Sequence, residues 1–163
     1  MDMLGEPQKL ADAEGYGPIF DLVKSHVEEV LSLHRAGLTL ALSDLPSYVG
    51  AYHVLGSNYL VINRRLLQRV RAEEPKEIVN SFLYMLMLHE YLHSLGLTEE
   101  GKVRQASKEV ASRMLGVGHP ATMLVTNPLN KLFPYIEALG ETKKEGPFEV
   151  IHEFDRKSYP YIS

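Results

Sequence analysis

From Phe82 to Leu88 the chain reads FLYMLML, seven apolar residues in a row, within a stretch where Ile78, Val79, Phe82, Leu83 and Leu86 keep the period of an α-helix. A helix that is apolar nearly all round cannot lie on a surface, so other elements must enclose it. Pro75 suits the first turn of this helix, and Gly96 can supply the left-handed residue that stops it. Whatever else the chain does, it has to build a fold around this segment. The run is far below the roughly 20 residues needed to span a bilayer, so it is expected to be a core helix in a protein with no membrane partner.

The remaining segments suggest what encloses it. Residues 1–15 mix Gly, Pro and charge without a sustained period and are expected to form a flexible arm, leaving 16–163 as one domain. From Pro18 the positions Ile19, Leu22, Val23, Val27, Val30 and Leu31 predict an amphipathic helix ending near Gly37. Leu38 to Leu42, Val49 to Leu55 and Tyr59 to Asn63 read as about three strands of a small antiparallel sheet, the last two joined across Gly56, Ser57 and Asn58. Arg64 to Arg71 is a short helix or turn with a basic cluster. A helix from Glu99 to about Leu115, capped by Thr98, carries the stripe Val103, Ala106, Val110 and Met114, and another covers Pro128 to Leu139 with a break at Pro134. The fold class is therefore α+β: a small sheet packed with an N-terminal helix, the buried helix and the helices after it.

Composition narrows the chemistry. The 163 residues hold 17 basic against 21 acidic side chains, a net charge of -4, which gives no general attraction to nucleic acid. Cysteine is absent, which removes thiolate nucleophiles, disulfides and sulfur-ligated metal sites together and suits a cytoplasmic protein. Any metal here must be held by His, Asp or Glu.

Immediately after the apolar run come His89, Glu90 and His93. Side chains four apart on a helix share one face, so both imidazoles can turn toward one metal ion. Glu90, roughly 100° round the helix, can reach a water at the metal rather than the metal itself and act as a general base. Two histidines and a glutamate on an enclosed helix would otherwise be three polar groups in want of partners. This is the H-E-x-x-H arrangement of zinc peptidases.

Together with the preceding sheet and the hairpin Gly50 to Asn63, the motif resembles the minimal zincin core, as in small archaeal metallopeptidase-like proteins related to minigluzincins. The resemblance covers about Leu38 to Leu115 and implies Zn2+ as cofactor, a peptide or protein as substrate, and hydrolysis of peptide bonds with Glu90 as the catalytic base. It also implies an edge strand beside the active helix that pairs with extended substrate, for which Tyr59 to Asn63 is the candidate. For the third ligand, beside His89 and His93, four residues come into question. His119, in the loop GVGHPAT where glycines permit a bend and the following proline holds it extended, is placed first. Glu109 lies where gluzincins carry a ligand glutamate, although it falls beside Lys102, Gln105 and Arg113 on the helical wheel. Glu99 stands at the spacing of the third metzincin ligand, and both it and Glu100 also fit the acid-favouring start of a helix. His53 on the hairpin is a candidate substrate contact, while His26, His34 and His152 are expected to face solvent or an interface. The alternatives are a zinc-binding but proteolytically silent module, a latent form blocked by the arm or by Phe148 to Ser163, and a metal-free structural domain. Oligomeric state is left open.

Overall fold

The computed structural model describes residues 5–140, 148–152, 154 and 155. In chain order these form α1 (Glu6–Asp12), α2 (Tyr16–Leu31), β1 (Thr39–Ser43), β2 (Ala51–His53), β3 (Tyr59–Asn63), α3 (Arg64–Glu73), α4 (Lys76–Ser94), α5 (Glu100–Leu115), α6 (Pro120–Thr126), the short α7 (Leu129–Leu132), a 3-10 segment (Pro134–Leu139) and β4 (Glu149–Ile151). The α+β class holds, with α4 at the centre. Every residue of α4 from Val79 to Leu88 is buried, and the helix packs against α1, α2, α3, α5, α6, β2 and β3. Among the described residues no helix is long and apolar enough to cross a membrane.

The sheet corrects the expectation of three antiparallel strands. Among the described residues it has four strands in the order β2-β3-β1-β4, and β1 runs parallel to β3 with Thr39 opposite Tyr59 and Ser43 opposite Asn63. The hairpin inserts β3, not β2, next to β1, so β3 is internal and β2 forms one edge. Alternation along a strand says which residues face the core but not which strand lies alongside or in what direction. The nearly continuous apolar run of β1, buried from Leu40 through Ser43, is what a strand inside the sheet shows. At the opposite edge β4 pairs antiparallel with β1. This part of the tail sits across the sheet from β2, away from α4's histidines; residues 156–163 lie outside the described residues.

Residues 6–12 are a helix docked on α4 and α5, not a loose arm. Leu10 of α1 is 1% exposed, and Asn80 of α4 donates its side-chain amide to the carbonyls of Leu10 (2.9 Å) and Ala13 (3.0 Å), satisfying acceptors that a helix end leaves open. His26, expected outside, is fully buried between Tyr84 and Glu6. Helix α2 ends earlier than expected, at Ser32, which takes a left-handed conformation. The stretch expected as a helix over 128–139 interrupted at Pro134 is divided there, into α7 and the 3-10 segment, with the break at Phe133 and Pro134.

Candidate metal centre

The site is built by the way α4 ends. Gly96 has φ +103°, the amide of Gly96 donates to His93 O (3.0 Å), and the amide of Leu97 donates to Leu92 O (3.3 Å). These two bonds and the left-handed glycine are the Schellman arrangement, which turns the chain back over the last turn of its own helix. Leu97 packs against the core, and Glu99 then serves as the N-cap of α5, putting Glu100 in its first turn. That return brings Glu100 over the face where His89 and His93 point.

The three side chains converge. His89 Nε2 lies 2.9 Å from Glu100 Oε2, His93 Nε2 lies 2.7 Å from Glu100 Oε1, and one ligand atom from each residue falls within 4.8 Å of the other two. Burial pushes the Glu100 carboxyl up, but the charges and hydrogen bonds of the two imidazoles more than offset this and hold it below the usual carboxylate value. His89 is lowered from the ordinary histidine value, first by burial, with Glu100 opposing. The neutral, metal-ligating form of its ring is thereby favoured.

The donor set fits a divalent ion. His93 Nδ1 is 2.8 Å from Leu97 O while its Nε2 meets Glu100, so both ring nitrogens face acceptors. A neutral imidazole has one N–H. With Nδ1–H donated to Leu97, Nε2 can serve as a metal ligand on the same side as Glu100. Two imidazoles and a carboxylate are a ligand set that zinc accepts in sites keeping one position open, and a backbone carbonyl holding the far nitrogen fixes the ring for it.

Glu90 stands beside this cradle and not in it. It is 7% exposed, sits where α4 meets β2, and accepts a hydrogen bond from the backbone N–H of His53. Burial, with the negative Glu100 nearby, raises its carboxyl to about 8. Strand β2 forms the facing wall of a cleft of about 440 Å³ that His89, Glu90, His93 and Glu100 line from the other side. Gly50 permits the close approach, since a Cβ there would lie 2.9 Å from Leu86 Cδ2. Arg35 ties the walls together: its guanidinium donates to Ser94 O at the end of α4 (2.8 Å) and to Ser57 O in the hairpin turn (3.0 Å), where His53 Nε2 also bonds (3.0 Å). The rim beside the histidines is therefore β2, in place of the Tyr59–Asn63 strand.

The other sequence candidates lie elsewhere. His119 is the N-cap of α6, its Nδ1 accepting from the Ala121 amide at 3.0 Å. The carboxylate whose charge it feels is Glu77, in the first turn of α4, twelve residues or roughly 18 Å along the helix from His89. Glu109 is exposed and paired with Arg113, and Glu99 is exposed beside Lys102. Glu100 was readable as the alternative to Glu99 only by counting from the Gly96 stop to the first turn of the next helix. Nothing in the sequence marked the His53 amide or Arg35, because their roles come from the hairpin folding onto α4. No family model, no curated protein and no solved structure matches the chain, so the reading of this site rests on its own geometry.

Proposed function

We propose that this chain is a zinc-dependent peptide hydrolase of the zincin type, with His89, His93 and Glu100 as the residues that hold the metal. The observation that carries the reading is the convergence of those three donors beside a buried glutamate on the wall of an open cleft. A zinc ion bound there supplies a Lewis acid that polarises a carbonyl and acidifies a water. Glu90, fixed by the His53 amide, takes the proton from the attacking water and returns it to the departing nitrogen. Strand β2, at the edge of the sheet, offers backbone groups against which an extended peptide can lie antiparallel or parallel. A cytoplasmic location, expected from the cysteine-free sequence, goes with this reading.

The test uses the full chain prepared without a histidine tag. The wild type is expected to bind one zinc per chain and to cut a peptide library, whereas Glu90→Gln keeps the zinc and loses about 10²- to 10⁴-fold in cleavage rate, the usual worth of a positioned acid or base. Failure of the wild type to bind zinc, or cleavage that survives the substitution, would sink the proposal.

A further inference from the structure

Two of the most exposed large apolar side chains in the described structure stand at the two ends of the same cleft wall. Tyr48, three residues before β2, is 75% exposed, and Leu55, two residues after it, is 79% exposed, and both line the cleft. They are seven positions apart along the chain, so they are at most about 25 Å apart, the reach of a short extended peptide. The described lining carries two carboxylates, Glu90 and Glu100, and neither lysine nor arginine is among the described residues that form it. Away from the metal position, a free C-terminal carboxylate entering here would lose its water and meet no lysine or arginine of the described lining, which is unfavourable for a charge. An incoming ammonium would have to compete for the carboxylates that face the histidines and the His53 amide.

Resting on the peptide hydrolase reading, we infer that the substrate is the interior of an extended peptide bearing apolar side chains on both sides of the bond at the metal, with Tyr48 and Leu55 as the residues that select them. Covering two such side chains removes apolar area from water on both partners, which is the driving force the cleft offers. Acidic side chains and a free carboxyl end lying away from the metal find no basic partner on the same surface.

Binding tests this separately from cleavage. Zinc-loaded Glu90→Gln, full chain, is titrated with three six-residue peptides: one of alternating leucine and alanine acetylated and amidated at its ends, the same peptide with a free carboxyl end, and a blocked version in which aspartate replaces leucine. The blocked apolar peptide is expected to bind at least about tenfold more tightly than either of the others, and Tyr48→Ser and Leu55→Ser each to weaken it about fivefold or more while leaving zinc affinity unchanged. Equal affinities for the three peptides, no binding, or indifference to both substitutions would overturn the inference. If the binding preference holds while wild-type protein cuts nothing, the cleft is a peptide-binding site and the hydrolase reading alone fails.

Discussion

Glu100 shows how little a side chain's exposure says about its role. Its carboxylate is 64% exposed, more like a solvated helix start than a ligand, yet each oxygen meets a different imidazole at hydrogen-bond distance. Glu99, one position earlier, occupies the N-cap position without a side-chain hydrogen bond to the helix and faces Lys102. A one-residue shift at a helix start rotates a side chain by about 100°, enough to exchange solvent for the histidine face. Substituting Glu100→Gln removes the one anionic donor and is expected to lower zinc affinity at least tenfold in a competitive chelator titration. Glu99→Gln and Glu109→Gln should leave it unchanged. His119→Ala should also spare zinc affinity while costing about 1 kcal/mol of stability, because it deletes the cap of α6.

At the scale of elements, α1 is the surprise. Seven residues with a proline in the first turn make a helix too short to persist in water. It exists because Leu10 enters the core, because Asn80 binds the carbonyls at its end, and because Glu6 is drawn to His26. Leu10→Ala is accordingly expected to destabilise the protein by about 2–4 kcal/mol in urea unfolding, within the range for a buried leucine. A change below about 0.5 kcal/mol would mean that α1 does not dock in solution. Through α4, this helix packs against the element that carries the histidines, so its loss reaches the site by way of the core.

For the molecule as a whole, one buried polar group links three helices. His26 on α2 bonds Tyr84 OH on α4 (2.7 Å) and Glu6 on α1 (2.7 Å), and Lys9 adds a contact to Glu6 (2.8 Å). Burial lowers His26 below the ordinary histidine value of 6.5, with Glu6 opposing, while Glu6 is itself lowered by Lys9 and His26 against its own burial. A histidine lowered in the folded state takes up its proton more readily when unfolded. The contribution of His26 to stability is therefore complete above pH 6.5 and is lost as the pH drops through that value. The Glu90 carboxyl, raised to about 8 in the folded state, has the opposite slope over this range, so the test is made in a Glu90→Gln background. There, thermal unfolding followed by circular dichroism should show a lower midpoint at pH 5.5 than at 7.5, and His26→Gln should flatten the difference. A midpoint that rises on acidification in that background would contradict the arrangement. Lys24 and Asp155, a second buried pair, fasten the residues after β4 to α2, with Phe154 stacked on Phe20 at 4.2 Å.

What could be read from the chain alone was local. The apolar run of α4, the pitch that puts His89 and His93 on one face, the Gly96 stop and the stripe of α5 all follow from the conformations of neighbouring residues, and all stand in the structure. What the tertiary structure decided was adjacency. The strand at the rim, the direction of β1 against β3, the docking of α1, the burial of His26 and the meeting of Glu100 with the histidines join segments whose mutual placement no periodicity encodes. Local pattern fixes which face of an element is apolar, but core burial rewards any neighbour of suitable shape. Which carboxylate reached the two imidazoles was settled by how the turn after Gly96 packed, not by the kind of residue available.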